Sequence, residues 1–442
     1  MNNDTICALA TATGGALGII RISGTMSFAI ISKIFSKDIT RELPNTIHYG
    51  YISNIDEVLV SIFKSPHSYT GEDSVEISCH GSQYIIEKVL ELLVKNGCRM
   101  AEPGEFTMRA FLNGKMDLSQ AEAVADLIAS NNEATHRMAM TQLRGGISSE
   151  LSILRDKLLR LTSLLELELD FSDHEDLEFA NRRELLSLAK DIDNKVSSLA
   201  NTFDMGQAIK KGIPVAIIGK TNVGKSTLLN TLLKDDRAIV SDIHGTTRDT
   251  IEDTMIINGI TFRFIDTAGL RQTNDYVEQI GIDRTYQAIE KARIIVWLTD
   301  ERPTQREISE MEELCYGKET IVVQNKLDIN ADRKPWTCPM IFISAKTGDG
   351  IQQLEQAIFS AAHLKKISDN EIIINNVRHY DALLKAHESL SRVIYSMNLN
   401  ISTDLIVEDL RMVLNSLSEI TGGQITTQEI LNNIFSQFCV GK

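Results

Sequence analysis

No two cysteines of this chain stand close enough to form a C-x-x-C pair. The six, Cys7, Cys79, Cys98, Cys315, Cys338 and Cys439, lie far apart. That spacing excludes a zinc ribbon and a disulfide scaffold and implies reduced thiols in a cytosol. Basic charge is also short: 45 Lys and Arg stand against 60 Asp and Glu, a net charge of −15. A surface that coats itself with nucleic acid is therefore not expected, and any RNA contact needs a local basic patch or a partner's help. No apolar run approaches the ~20 residues of a membrane-spanning helix. Asp4 and the lack of a basic n-region argue against reading Cys7-Ala8-Leu9-Ala10 as part of a signal peptide. The remaining composition, 43% hydrophobic and 24% charged over 442 residues, suits two or three globular domains, since single cores rarely grow past ~250–300 residues.

The chain is organised around Gly219-Lys220-Thr221-Asn222-Val223-Gly224-Lys225-Ser226, which fits G-x-x-x-x-G-K-[ST]. Val215-Ala216-Ile217-Ile218 leads in as a buried strand, and the residues from Ser226 lead out as a helix. Glycines let the backbone wrap a phosphate closely, and N–H groups at a helix start point toward the anion. Lys225 then reaches the β/γ-phosphates while the Ser226 hydroxyl ligates Mg²⁺.

Around this loop the fold reads as multidomain α/β. The first ~115 residues are α+β, with strands at Gly18–Ser23 and Ser74–Ser78 and a helix over Tyr84–Val94. His80 beside Cys79 lacks further ligands at metal spacing and reads as structural. Long helices follow. Ser119 with Glu122 reads as a capping box, and Leu154, Leu158, Leu161 and Leu165 share one face. Phe171–Asp176, with His174 in an acidic cluster, reads as a solvated break between helices. From about 210 to 365 strands alternate with helices, implying a mostly parallel sheet, with an Asn258-Gly259 hairpin turn. Helices return from about 375: Ile406, Leu410, Val413 and Leu417 make one apolar face, and Thr426-x-x-Glu429 caps the last helix. The simplest architecture inserts the nucleotide domain into a helical one.

Further motifs follow in the order a GTPase needs. Asp266-Thr267-Ala268-Gly269 places a carboxylate for hydrated Mg²⁺ and a glycine near the γ-phosphate. Asn325-Lys326-Leu327-Asp328 fits N-K-x-D, whose Asp accepts from guanine N1–H and the exocyclic amine, a donor pair that adenine lacks. Ser344-Ala345-Lys346 brings backbone to the guanine O6. Gly245-Thr246-Thr247-Arg248-Asp249 supplies a Mg²⁺ hydroxyl and a loop the γ-phosphate can order. Leu270 stands where many small GTPases carry the glutamine that orients water. Glu278, Arg271, Arg248 or a bound cation are the candidates to replace it.

With these motifs, Gly18-Ile-Ile-Arg-Ile-Ser-Gly24, Ser68-Tyr-Thr-Gly-Glu-Asp73, Pro103-Gly-Glu-Phe106, Arg109-Ala-Phe-Leu-Asn113, Lys115-Met-Asp-Leu-Ser-Gln-Ala-Glu-Ala123, Gly269-Leu-Arg271, Val277-Glu-Gln-Ile-Gly281 and Phe438-Cys-Val-Gly-Lys442 make the chain resemble, nearly end to end, the MnmE (TrmE) family of tRNA-modification GTPases. The resemblance implies an N-terminal tetrahydrofolate-binding and dimerisation domain (1–116), a helical domain in two parts (117–207 and 369–442), and an inserted Ras-like G domain (208–368). It implies a homodimer and, with the FAD-containing partner MnmG (GidA), a heterotetramer that acts on tRNA in the cytoplasm. That complex adds a carboxymethylaminomethyl or aminomethyl group at C5 of the wobble uridine. The resemblance also assigns residues. GTP would be held by Asn222, Val223, Gly224, Lys225, Ser226 and Thr227; by Ser241, Asp242, Ile243, His244, Gly245, Thr246 and Thr247; by Asp266 to Gly269; by Asn325 to Asp328; and by Ser344, Ala345 and Lys346. Mg²⁺ falls to Ser226 and Thr247. K⁺, standing where an arginine finger would, falls to Asn222, Ser241, Ile243 and Thr246. Lys225, Thr247 and Glu278 would be catalytic, with Glu278 orienting water. A 5-formyl- or 5,10-methylene-tetrahydrofolate would meet Arg21, Glu76, Lys115 and Lys442. Cys439 has a possible modification role in the family pattern, which explains the last residues better than a prenylation box does. A ribosome- or RNA-assembly switch is the alternative, and a folate-dependent transferase with a regulatory G domain is a third.

Overall fold

The computed structural model describes residues 4–170, 182–234, 253–265, 286–329, 339–363, 371–399, 401–423, 428–436, 438 and 440–441. In chain order the elements are β1 (Thr5–Leu9), β2 (Leu17–Ser23), α1 (Ser27–Ile34), β3 (Thr46–Ile52), β4 (Asp56–Phe63), β5 (Ser74–His80), α2 (Gln83–Lys95), β6 (Cys98–Met100), α3 (Glu105–Leu112), α4 (Leu118–Ala129), α5 (Glu133–Leu143), α6 (Gly146–Asp170), α7 (Arg182–Ala200) and α8 (Phe203–Lys211). There follow β7 (Ile213–Ile218), α9 (Lys225–Lys234), β8 (Asp253–Ile257), β9 (Ile260–Phe264), β10 (Ile294–Thr299), α10 (Gln305–Leu314), β11 (Glu319–Gln324), β12 (Met340–Phe342), α11 (Ile351–Ala361), α12 (Val377–Asn398), α13 (Thr403–Thr421) and α14 (Gln428–Phe435). The chain divides into two compact units. One comprises Met1–Ala129, Ala139–Val196 and Asp381–Lys442, the other Ser130–Met138 and Ser197–Tyr380. The fold is multidomain α/β, as expected.

In the first unit six strands form a sheet of order β3-β4-β5-β2-β1-β6. The period-2 alternation of its central strands decides what each face does. Ile20, Ile22, Val75 and Ile77 point to the face where α1 and α2 supply Ile30, Ile31, Ile86 and Val89. Arg21 and Glu76 fall on the opposite face, directly across from each other in the antiparallel register. Helices complete this unit. Leu154, Leu158, Leu161 and Leu165 of α6 are buried, as are Ile406, Leu410, Val413 and Leu417 of α13. The expected capping box at Ser119 and Glu122 is corrected: Asp117 is the cap. Its Oδ1 accepts from Gln120 N at 3.0 Å while Gln120 Oε1 accepts from Asp117 N at 3.0 Å. The carboxylate satisfies the orphan N–H groups of the first turn, and Ser119, already helical, donates to it. Phe171–Asp176 and Thr426 lie outside the described residues.

In the second unit the order is β12-β11-β10-β7-β9-β8. All pairs are parallel except β8 with β9, which meet through Asn258-Gly259 at φ +50° and +78°. Val215, Ile217, Phe262, Phe264, Val296 and Val323 face Leu228 and Leu232 of α9 and Leu354 and Ile358 of α11. Ala216, Ile218, Ile295 and Trp297 face Ile308 of α10.

Candidate functional site

Parallel strands deliver their carboxyl ends to one edge of a sheet, where open α/β folds bind ligands. The loop from 219 follows β7, Asn325–Asp328 follows β11, and Ser344–Lys346 follows β12. Gly219 sits at φ +150°, and a Cβ there would lie 2.1 Å from the Leu298 carbonyl oxygen. Asn222 is left-handed at φ +63° and Gly224 takes φ +98°. A Cβ on Gly224 would come within 2.4 Å of Asn325 Nδ2. The glycines thus serve close approach and turning, as the motif requires. Lys225 opens α9, and its Nζ donates to the carbonyls of Gly219 and Lys220 at 2.7 Å each. Burial pushes this ammonium below the ordinary lysine range. A half-buried cation that meets only neutral carbonyls among the described residues is suited to an anion. Ser226 is half-buried in the first turn, and Thr227 is exposed.

Asn325 does more than its motif suggests. It is 3% exposed. Its Nδ2 donates to the Val223 carbonyl at 2.8 Å, and its Oδ1 accepts from Ala345 N at 2.9 Å. One amide therefore braces the glycine loop to the Ser344–Lys346 loop. Thr231 Oγ1 of α9 adds a second tie, donating to the Ala345 carbonyl at 2.7 Å. The buried Ser344 hydroxyl donates to Asp328 Oδ1 at 2.9 Å and fixes that exposed carboxylate. Lys326, left-handed at φ +66°, pairs with Asp300 at 2.8 Å. Leu327 N donates to the Ile343 carbonyl. The N-K-x-D pattern is legible in sequence, whereas the Asn325 brace and the Thr231 tie are visible only as contacts. Ser241 to Thr247, Asp266 to Gly269, and Glu278 lie outside the described residues, as do Cys439 and Lys442.

The first unit holds a second constellation. A cavity of about 200 Å³ is lined by Arg21, Phe63, Tyr69, Thr70, Ser74 and Glu76. Arg21 Nε donates to Glu76 Oε1 at 2.9 Å, and its guanidinium lies 5.2 Å from the Tyr69 ring centre and 5.7 Å from that of Phe106. Beneath, Ser23 Oγ is 2.7 Å from Thr70 Oγ1 and donates to Glu72 Oε2 at 2.7 Å. Arg109 reaches Glu72, Asp4 and Glu105. Burial alone would raise the Glu105 carboxyl, but Arg99, the Glu102 N–H and Arg109 outweigh it and hold the group below the usual range. Arg21 Nη1 also donates to the Gly441 carbonyl at 3.4 Å, and a Cβ on Gly441 would lie 2.2 Å from the Leu9 oxygen, so the chain end is seated against β1. Lys115 Nζ donates to the Pro66 carbonyl, on the loop that carries Tyr69. Of the four expected folate contacts the fold pairs Arg21 with Glu76 and places Lys115 beside that loop. Tyr69, Thr70 and Phe106 lie in stretches that carry the family resemblance, Ser68–Asp73 and Pro103–Phe106, but are absent from the expected set of folate contacts. His80 Nδ1 pairs with Asp56 Oδ1 at 2.7 Å.

Two family models cover most of the chain: the GTP-binding protein TrmE N-terminus matches residues 5–115, and the MnmE helical domain matches residues 118–439. The chain belongs to the MnmE family of tRNA modification GTPases. A protein named tRNA modification GTPase MnmE from Bacteroides thetaiotaomicron is 53% identical over 468 residues, covering 100% of each chain. Another of that name from Phocaeicola vulgatus is 52% identical over 500 residues, covering 100% of this chain and 99% of that one. The MnmE of Porphyromonas gingivalis is 48% identical. Among the described residues no helix is long and apolar enough to cross a membrane.

Proposed function

We propose that this chain hydrolyses GTP in the cytoplasm to drive modification of tRNA at C5 of the wobble uridine, working with an FAD-dependent partner. The observation that carries the reading is the Asn325 brace. It holds a phosphate-wrapping loop with its half-buried Lys225 at a fixed span from a carboxylate, Asp328, oriented by Ser344. A guanine nucleotide fits both ends, with phosphates for Lys225 and an N1–H and amine edge for Asp328. Ser226, with Thr247, is the Mg²⁺ pair in this reading. Asn222, with Ser241, Ile243 and Thr246, holds a monovalent cation, whose charge would offset that building on the leaving phosphate. Glu278 orients water in place of the glutamine that Leu270 replaces, and paired G domains of a homodimer complete the site. The domain limits that accompany the reading are 1–116, 117–207, 208–368 and 369–442.

The cavity around Arg21 and Glu76 serves a tetrahydrofolate in this account. Its ~200 Å³ is below the ~300–1,000 Å³ of sites that enclose whole ligands. It suits a pterin ring, with Glu76 toward the ring's donors and basic groups such as Lys115 toward the glutamate tail. The test is mass spectrometry of wobble uridine from a strain lacking this chain. The C5 substituent should disappear, return with the wild-type chain, and stay absent with Lys225→Ala. Unchanged nucleosides in the deletion strain would overturn the reading.

A further inference from the structure

We infer that Asn132 is a positioning residue that ties the β8–β9 hairpin to helix α5, so that the nucleotide state is read out along α5. The inference rests on the GTP reading of this unit. Asn132 uses both ends of its amide. Oδ1 accepts from Thr135 N at 2.8 Å and caps α5, while Nδ2 donates to Thr261 Oγ1 of β9 at 2.7 Å. Next to it Ala134 N donates to the Gly259 carbonyl at 3.2 Å, and a Cβ on Gly259 would lie 3.3 Å from Glu133 Cβ. Thr261 is 6% exposed, so its hydroxyl meets a protein partner instead of bulk water.

The hairpin is well placed to carry a signal. β9 pairs in parallel with β7, which leads into the phosphate loop, and its chain continues toward Asp266. β8 follows the segment of Ser241 to Thr247. Both ends of a stiff antiparallel ladder therefore run into stretches that the GTP reading assigns to the γ-phosphate. The receiving end is also firm. Met138 and Ala134 of α5 pack with Met205 and Ile209 of α8 and with Ile373, and Gly206 approaches the Ile374 carbonyl so closely that a Cβ would be 2.1 Å from it. The chain leaves this unit along α5, after Met138. A shift of the hairpin thus reaches the first turn of α5 through the Asn132 side chain, beside the backbone bond from Ala134 N to the Gly259 carbonyl.

Two substitutions sever the tie without removing the cap. Asn132→Asp keeps an acceptor for Thr135 N and loses the donor; Thr261→Val keeps the shape and loses the acceptor. Amide hydrogen exchange of residues 133–143 would be compared in the full-length protein, with GDP and with a non-hydrolysable GTP analogue. The wild type should show different protection in the two states, and both variants should lose that difference while nucleotide Kd stays within about twofold. A difference that persists in the variants, including one where exchange rises equally in both states, makes the contact mere structural support and overturns the inference. So does a wild type that binds both nucleotides with identical exchange. A wild type that binds no guanine nucleotide instead refutes the reading on which the inference rests.

Discussion

Replacing Asn325 with alanine should damage nucleotide binding without the residue having to touch the nucleotide. The side chain is 3% exposed, and its two hydrogen bonds, to Val223 O and from Ala345 N, are both buried. Truncation leaves a carbonyl and an N–H unmade, each costing ~1–3 kcal/mol. Allowing for partial relaxation, the braced arrangement loses about 2–4 kcal/mol, which corresponds to a roughly 30- to 1,000-fold rise in Kd if binding needs the brace. Asn325→Asp is the sharper variant. It retains an acceptor for Ala345 N but sets a carboxylate oxygen against the Val223 carbonyl, so it should bind at least as poorly as the alanine variant. Titration of a fluorescent GDP analogue into each folded variant reads the effect, with thermal unfolding as the control. A Kd within about threefold of wild type for both variants would refute the brace.

Asp328→Asn should weaken GTP binding by at least ~10²-fold and favour a xanthine nucleotide, because the new amide donor faces an amine in guanine and a carbonyl in xanthine; competition between the two nucleotides decides it. In the first unit, burial alone would raise Asp4 and Glu105, yet Arg99 and Arg109 hold both below the ordinary carboxylate range. Their contribution to stability is therefore fully present above the unfolded values of ~4 and is lost as pH falls through the lower folded values. Melting temperature from pH 7 to 3 should fall steeply only at the acid end. Arg109→Met, which leaves buried Glu105 with fewer partners, should lower stability already at neutral pH.

The sequence is most legible where chemistry needs fixed spacing. The phosphate loop demands glycines where backbone meets backbone, as at Gly219 against Leu298, so the pattern survives as a string. The leucine faces of α6 and α13 show for the same reason, since helical period and burial coincide. The N-terminal sheet was legible only in part: β2 and β5 stand out as apolar runs between glycines. β3 hides because its outer face carries Ile47, Tyr49 and Tyr51 exposed, and period alone does not say which side is buried. The start of α4 misleads because Ser119 and Glu122 match a capping pattern that Asp117 and Gln120 satisfy. The brace at Asn325 and the tie at Asn132 join residues far apart in the chain, and no local pattern announces them.

Nucleotide turnover by the purified full-length protein, with GTP or ATP and in KCl or NaCl, tests base selection and the monovalent cation together. GTP should be cleaved and ATP not, and KCl should support faster cleavage than NaCl. Equal cleavage of GTP and ATP would contradict the base recognition assigned to Asp328, and equal rates in the two salts would remove the cation from the site.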